Sequence, residues 1–287
     1  MNKDQMLSRR KALLVGSAAV LGAAGAAGTA RLLGAGPTPP PGGPSASPSA
    51  SPAAGSPQAG ALRRSAYRLQ PIAGYGPLRS APGRTLVRHE PFLRVAGRGP
   101  TMVLTFDDGP DPRYTPHVLR TLKAHDVRAM FFVCGSMVVE HKDMLRKMAD
   151  EGHIVGNHTW SHPLLTRLRR SAIRSEMERT SEIIEKTYGE RPGWFRAPYG
   201  AWNRAVFEFG AELGMEPLGW TVDTLDWQEP GARTIERRVM KGAAPGVVVL
   251  AHDAGGDRSQ SIRALRDYLP RLLDSGYHLT VPRRQFT

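Results

Sequence analysis

From residue 101 onward, short apolar runs alternate with longer amphipathic stretches, and this alternation limits the folds open to the chain. The apolar runs predict strands at 102–106, 129–133, 153–156, 194–197, 217–222, 247–251 and 277–280. The clearest helix is predicted over 171–188, where Ile173, Met177 and Ile184 recur near helical spacing. Strands that alternate with helices in this way are typical of parallel βα units.

The length of this region selects among the parallel folds. Seven βα units fit within residues 101–287, whereas a regular eightfold barrel takes about 250 residues. We therefore expect an α/β fold, a distorted or incomplete (β/α) barrel of about seven parallel βα units. The structural alternative is an open doubly wound sheet.

Residues 1–30 have the character of an export signal. A basic start that includes Arg9 and Arg10 precedes an uncharged run over 12–30 that is rich in Ala and Gly. Such a run is only weakly apolar, so a signal peptide is favoured over an N-terminal membrane anchor. Residues 8–13 resemble a twin-arginine signal, which exports folded proteins. We expect an exported protein that is secreted, associated with the cell wall or anchored in the membrane and facing outward.

Two further segments separate this signal from the βα region. Residues 31–60 are rich in Pro, Ala, Ser and Gly and predict an extended linker. Residues 61–97 form a basic extension, rich in arginine. It is interpreted either as an arm that binds an anionic wall polymer or membrane surface, or as an extension that packs on the domain with solvated arginines. We favour the second interpretation and expect one folded domain over 98–287.

The positive charge of the chain is concentrated ahead of this domain. Residues 1–100 hold 13 Lys+Arg against 2 Asp+Glu, a net charge of +11, whereas residues 101–287 hold 26 against 24, a net charge of +2. An enzyme of nucleic acids would carry positive charge on its catalytic domain, so we expect no nucleic-acid partner. The single cysteine, Cys134, excludes an intramolecular disulfide.

Chemically distinctive residues cluster where the predicted strands end. Five clusters follow the first, third, fourth, fifth and sixth predicted strands, at 105–110, 157–163, 196–200, 223–227 and 250–253. Each cluster alone has an ordinary interpretation as a turn, a loop or a core histidine. Because the carboxyl ends of barrel strands meet on one face, where active sites are built, the joint placement predicts one pocket.

Three residues of these clusters have the composition of a metal site. His158 and His162 are four positions apart, a spacing that directs two imidazoles to one side of a turn, and Asp108 adds a carboxylate. Two histidines and one carboxylate leave coordination positions for water and substrate, as a hydrolytic zinc site requires. The same donors also suit non-haem iron, so the donors alone leave the metal open.

The remaining clusters supply groups for proton transfer. Asp107, next to the expected ligand Asp108, can act as a base, and Arg196 can hold it ionised through a bidentate contact. His252 can donate a proton to a leaving amine, and a carboxylate at Asp226 would keep that imidazole charged.

Three further residues suit the binding of an acyl group. The backbone amide of Tyr199, in a Pro-Tyr-Gly turn, can donate to a developing oxyanion. Trp227 and Leu250 can form an apolar floor for a small acyl group.

Taken together, the five clusters resemble the five motifs of the polysaccharide deacetylase family, the NodB-homology group or carbohydrate esterase family 4. The resemblance covers about residues 98–282. It implies a distorted βα barrel that removes N-acetyl, and sometimes O-acetyl, groups from glycans with a divalent metal. Carried over position by position, it implies the metal ligands Asp108, His158 and His162, the base Asp107 oriented by Arg196, the oxyanion-binding amide of Tyr199, the acid His252 tuned by Asp226, and the acetyl pocket lined by Trp227 and Leu250.

We therefore expect a metal-dependent hydrolase that removes N-acetyl groups from an extracytoplasmic polysaccharide, either peptidoglycan or a chitin-like N-acetylglucosamine polymer. Zinc is the expected metal, with cobalt, nickel or manganese as alternatives. The alternative functions are an O-acetyl esterase of the xylan type, a hydrolase of small cyclic amides or imides, and a weakly active wall protein that binds glycans. The sequence leaves the oligomeric state open.

Overall fold

The computed structural model describes residues 84–95 and 99–282. The predicted signal over 1–30, the predicted linker over 31–60 and most of the basic extension lie outside the described residues. Within the described ranges, no helix combines the length and the apolar character that crossing a bilayer requires.

The apolar runs form the strands of one parallel sheet. In chain order, the strands are β1 (Thr101–Asp107), β2 (Met130–Val133), β3 (Ile154–Asn157), β4 (Trp194–Phe195), β5 (Glu216–Pro217), β6 (Val222–Asp223), β7 (Val248–His252) and β8 (His278–Leu279). Neighbours follow the order β5-β4-β3-β2-β1-β7-β6, and β8 pairs with the start of β1.

Helices fill the connections between these strands. In the described part of the chain they are α1 (Thr115–Ala124), α2 (Gly135–Glu140), α3 (Lys142–Asp150), α4 (Arg170–Tyr188), α5 (Arg204–Glu212), α6 (Ala232–Gly242) and α7 (Ser259–Asp274). The predicted helix over 171–188 is confirmed as α4. It ends at Gly189, whose φ of 95° is the left-handed conformation that terminates many helices.

The sheet forms an incomplete (β/α) barrel, which confirms the expected fold class. The strands alternate in the direction of their side chains. Leu104 and Phe131 belong to the cluster that packs under the helices, whereas Val103 and Phe132 belong to the cluster inside the barrel. Because both faces of the sheet are covered, the strands contain the nearly continuous apolar runs seen in the sequence.

The prediction of a single strand over 217–222 is wrong. This run holds parts of two short strands, of which β5 pairs with β4 and β6 pairs with β7, at opposite ends of the sheet. Between them, the carbonyls of Leu218 and Gly219 accept hydrogen bonds from the Arg196 guanidinium at 3.1 and 2.9 Å. An apolar run indicates that its residues are buried, but it does not indicate which neighbouring strand they pair with.

Residues 84–95 pack between the two ends of the sheet. Phe92 forms a parallel bridge with Leu218, which follows β5, and Arg94 forms an antiparallel bridge with Val247, which precedes β7. This part of the basic extension therefore packs on the barrel, in agreement with the favoured interpretation. It belongs to the same compact unit as the barrel; the start of the domain at residue 98 stays a prediction.

Replacing Phe92 with Ala should destabilise the barrel. The Phe92 ring packs with the interior cluster, edge-on to Trp194 at 6.4 Å between centroids. Because the ring is half-buried, we expect a loss of about 2 kcal/mol, which is a fall in Tm of about 4–8 °C for a domain of this size. The measurement is thermal unfolding by circular dichroism. Leu86→Ala is the control, since Leu86 is 75% exposed; a Tm for Phe92→Ala equal to that of the unchanged protein would show that the Phe92 ring does not stabilise the barrel.

Candidate metal and acid–base site

The sheet register brings the predicted site residues to one edge. Asp107 lies opposite His252, and Asp223 lies opposite Leu250, at the carboxyl ends of β1, β6 and β7. The clusters that follow β3 and β4 reach the same edge, because Asp107 also lies 3.7 Å from His158 and contacts Arg196. The convergence predicted for residues dispersed along the sequence is therefore present in the structure.

Asp108, His158 and His162 form one group of ligand atoms. Asp108 Oδ1 lies 3.3 Å from His162 Nε2 and 3.5 Å from His158 Nε2. One ligand atom from each residue lies within 4.8 Å of the others. Ligands about 2.1 Å from a cation, at tetrahedral angles, would lie about 3.4 Å apart. Asp108 Oδ1 is buried and has no hydrogen-bond partner among the described residues, so these residues fit a divalent cation.

Left-handed backbone conformations direct these ligands. Asp108, Thr159 and His162 have φ values of 77°, 72° and 57°, which cost about 1–2 kcal/mol for each non-glycine residue. Local side-chain hydrogen bonds compensate for part of this cost. The Thr159 N–H donates to Asn157 Oδ1 at 2.8 Å, and the His162 N–H donates to Thr159 Oγ1 at 3.2 Å.

Both imidazoles are prepared for coordination by their surroundings. His158 Nδ1 lies 2.7 Å from the carbonyl oxygen of Arg196. A carbonyl only accepts, so Nδ1 carries the proton and Nε2 offers its lone pair. Burial and the neighbouring His158 lower the pKa of His162 to about 4, so that imidazole is neutral at pH 7. Burial alone would raise the pKa of Asp108, but the surrounding histidine imidazoles outweigh burial and lower it well below its usual range.

The candidate base, Asp107, is held by a buried guanidinium. Arg196 is 0% exposed, and its Nη1 donates to Asp107 Oδ1 at 2.6 Å and to Thr105 Oγ1 at 2.8 Å. One nitrogen makes the contact with Asp107, so the expected bidentate contact is wrong. The reason is that Nη2 and Nε donate instead to backbone carbonyls, one of them that of Gly219. The second oxygen, Asp107 Oδ2, lies 3.7 Å from His158 Nε2.

The candidate acid, His252, is paired with the buried carboxylate of Asp226. Asp226 Oδ1 lies 2.7 Å from His252 Nδ1, while Oδ2 accepts from the His252 backbone N–H at 2.9 Å and from Ser261 Oγ at 2.6 Å. Burial alone would lower the pKa of His252, but the charge and hydrogen bond of Asp226 raise it to about 9. The imidazole is therefore positively charged at pH 7.

The residues expected to bind an acyl group lie beside these groups. Tyr199 has a φ of 61° in the short 3-10 turn Pro198–Gly200, and its ring lies 4.7 Å from the His162 ring. Leu250 is buried on β7, two positions before His252, and therefore on the same face of the strand. Trp227 is 37% exposed and follows Asp226 directly in the chain.

Sequence reasoning missed a buried carboxylate next to the site. Asp253 Oδ2 accepts from Thr115 Oγ1 at 2.5 Å, and Thr115 Oγ1 in turn accepts from the Asp111 N–H at 2.8 Å. Burial raises the pKa of Asp253 to about 7. A Cβ on Gly109 would collide with the Asp253 carboxyl, so this carboxyl packs directly against the turn that follows Asp108. The only sequence signal was the position of Asp253 at a strand end, because Thr115 is 138 positions away.

The family model of polysaccharide deacetylases matches residues 94–218. The chitooligosaccharide deacetylase of Rhizobium leguminosarum bv. trifolii is 36% identical, with 68% of this chain and 96% of that protein covered. A peptidoglycan-N-acetylglucosamine deacetylase of Bacillus cereus is 37% identical, with 61% and 64% covered, so this chain spans less than two thirds of it. The solved peptidoglycan deacetylase PdaC of Bacillus subtilis is 39% identical, with a TM-score of 0.59 and 64% and 89% covered.

Replacing Asp226 with Asn should shift the titration of His252. Without the Asp226 charge, burial is opposed only by Asp107 and Asp108, so we expect the pKa of His252 to fall well below 9. The measurement is a pH titration of the His252 imidazole by NMR. The control is Asp257→Asn, which removes an exposed carboxylate from the loop after β7. An unchanged pKa in the Asp226→Asn protein would show that Asp226 does not hold the imidazole charged.

Replacing His162 with Ala should weaken metal retention, because one of three ligand atoms is lost. We expect clearly less than one equivalent of bound divalent metal after exhaustive dialysis, against one equivalent in the unchanged protein. Metal content is measured by elemental analysis. His278→Ala is the matched control, since His278 is exposed and pairs with Thr101, at the opposite end of β1. Full occupancy in the His162→Ala protein would remove His162 from the ligand set.

Proposed function

This chain belongs to the polysaccharide deacetylase family, and on that premise we propose that it removes N-acetyl groups from an extracytoplasmic polymer containing N-acetylglucosamine, such as peptidoglycan or a chitin-like glycan. The observation that carries the proposal is the grouping of Asp108, His158 and His162 next to a carboxylate, Asp107, and a charged imidazole, His252. The names of the relatives from Rhizobium and Bacillus support this class of substrate.

A divalent cation held by Asp108, His158 and His162 would polarise the acetyl carbonyl and lower the pKa of a water molecule. We propose zinc, because two imidazole nitrogens and one carboxylate oxygen are donors that zinc commonly takes. Cobalt, nickel and manganese accept the same donors and are the other candidates.

Asp107 accepts the proton of the attacking water in this proposal. Arg196 donates to Oδ1, which leaves Oδ2, on the side of His158, as the accepting oxygen. The position of the base then depends on the buried guanidinium, since rotation of the carboxylate would break its 2.6 Å hydrogen bond.

His252 protonates the departing nitrogen. Its Nδ1 is engaged by Asp226, so Nε2–H is the donating group. An amine is a poor leaving group until it is protonated, and an imidazole that stays charged at pH 7 supplies that proton. This requirement favours N-acetyl over O-acetyl substrates. The Tyr199 amide would donate to the oxyanion, and Trp227 and Leu250 would contact the acetyl methyl group.

The alternatives differ in what they need from these groups. A wall protein that only binds glycans has no use for a paired base and acid, which this chain retains in Asp107 and His252. A hydrolase of small cyclic amides needs no export, whereas residues 1–30 carry the character of an export signal or anchor and 31–60 that of a linker. We therefore propose an exported enzyme that acts at the cell wall, with zinc as its metal.

The deciding experiment measures acetate release by the zinc-loaded protein from peptidoglycan, chitin oligomers and acetylated xylan, and the hydrolysis of a cyclic imide. We expect acetate from the first two, loss of activity with a chelator, and recovery when zinc is added. Acetate from xylan alone would replace the proposal with the esterase alternative, and hydrolysis of the imide alone with the small-amide alternative. No turnover of any substrate would favour the glycan-binding protein.

Asp107→Asn and His252→Ala should each lower turnover by at least about 10², because each removes one positioned proton transfer. Turnover is compared at saturating substrate and zinc, and circular dichroism checks that both variants remain folded. Glu182→Ala is the control, since Glu182 lies on the exposed face of α4. Near-normal turnover in either site variant would reject the role assigned to that residue.

A further inference from the structure

The segment between the two histidine ligands, which we call the histidine loop (residues 157–162), is bound by a carboxylate from a neighbouring helix. Glu176 Oε2 accepts from the backbone N–H groups of Trp160 and Ser161, both at 2.8 Å, and Oε1 accepts from Ser161 Oγ at 2.9 Å. We propose that Glu176 is a positioning residue that fixes the histidine loop in its metal-binding conformation. The inference rests on the metal site of the proposed function.

The backbone N–H groups of Trp160 and Ser161 together form a site that favours a carboxylate. Trp160 and Ser161 lie between Thr159 and His162, which both have left-handed φ values, and their consecutive N–H groups converge on one oxygen. Such a pair of amides is an anion-binding concavity, and hydrogen bonds to a charged acceptor are stronger than those between neutral groups. Glu176 therefore holds the part of the loop that leads directly into His162.

The rest of the histidine loop is held from two sides. On the side of α4, Asn157 Nδ2 donates to the Met177 carbonyl at 2.7 Å and to Ser181 Oγ at 2.9 Å, and the Arg179 guanidinium lies 3.9 Å from the centre of the Trp160 ring. Because α4 contacts the loop just before each histidine, the helix can set the separation of the two imidazoles.

On the other side, the beginning of α2 binds the carbonyls of the loop. The Gly135 N–H donates to the Thr159 carbonyl at 3.0 Å, and the Ser136 N–H donates to the Trp160 carbonyl at 3.1 Å. The carbonyls of Thr159 and Trp160 therefore bind α2, whereas the N–H groups of Trp160 and Ser161 bind Glu176 on α4. Removing the Glu176 side chain replaces three hydrogen bonds to one carboxylate with hydrogen bonds to water, so these contacts no longer tie this part of the loop to α4.

The same helix provides a matched comparison. Glu178, two positions further along α4, accepts a hydrogen bond from Arg174 at 2.8 Å on the helix surface. Glu176 and Glu178 have the same charge and the same side-chain length. A difference between their variants therefore reports the contact with the loop and not the charge of the helix.

The test measures the zinc Kd of the full chain by competition with a chromophoric chelator. For Glu176→Ala we expect zinc binding to weaken by about 10- to 100-fold, the usual effect of losing a group that orients metal ligands. Glu176→Gln should weaken it less, because an amide oxygen still accepts from the two N–H groups. Glu178→Ala should stay within about twofold of the unchanged protein, since its contact is with Arg174.

Two further readouts separate positioning from a general loss of stability. With Co²⁺ in place of zinc, the visible absorption spectrum should change in the Glu176→Ala protein and not in Glu178→Ala, because it reports the arrangement of the ligands. Turnover at saturating metal should equal that of the unchanged protein in Glu178→Ala, because the Glu178 side chain contacts Arg174 and not the histidine loop. The Tm of each metal-free variant is measured alongside.

An unchanged zinc Kd in Glu176→Ala would overturn the inference, whatever the effect on Tm. If that variant does not fold, Glu176→Gln and Ser161→Ala decide, because each keeps part of the contact; weaker binding in both supports the inference, and unchanged binding in either overturns it. Failure of the unchanged protein to bind zinc would instead reject the metal site of the proposed function, so the two failures are distinguishable.

Discussion

The Arg196 guanidinium is buried away from water, and the rest of the site depends on how its charge and its N–H groups are satisfied. It donates to Asp107 and Thr105 on β1 and to the carbonyls of Leu218 and Gly219, while the backbone carbonyl of Arg196 accepts from His158. One residue therefore orients the candidate base and one candidate metal ligand. Removing one partner of such a buried ion pair costs about 3–5 kcal/mol, because the remaining charge is left uncompensated.

Two imidazoles of this site have opposite charge states at neutral pH, although they lie at the same edge of the sheet. His162 is kept neutral by burial and by the neighbouring His158, whereas His252 is kept charged by Asp226. The difference comes from what each ring faces. His162 also lies 3.3 Å from the carboxylate of Asp108, but burial and His158 outweigh that attraction, so its ring stays neutral and can coordinate a cation. At His252 the carboxylate of Asp226 outweighs burial, so the ring keeps a proton that it can donate.

The sequence predicted the fold class, most of the strands and the side chains that meet at the site, because parallel strands bring their carboxyl ends together and polar residues there stand out against apolar runs. Prediction from the sequence failed where the structure depends on which strands pair or on contacts between residues far apart in the chain. The apolar run 217–222 predicts one strand, but its residues belong to β5 and β6, which pair with different neighbours. Between these two strands, backbone carbonyls accept hydrogen bonds from Arg196. Glu176 has the appearance of an ordinary helix-surface charge, and its contact with the histidine loop appears only in three dimensions.

The contacts of residues 84–95 constrain the order in which the protein can fold. Arg88 and Glu216 are 128 positions apart, and Arg94 reaches Pro245 across 151 positions. Because synthesis proceeds from the N-terminus, this segment is made first, and its partners are made only after most of the barrel has been synthesised. Closing such long loops is entropically slow. The contacts of residues 84–95 with the barrel therefore form late in biosynthesis, although this segment is synthesised well before its partners.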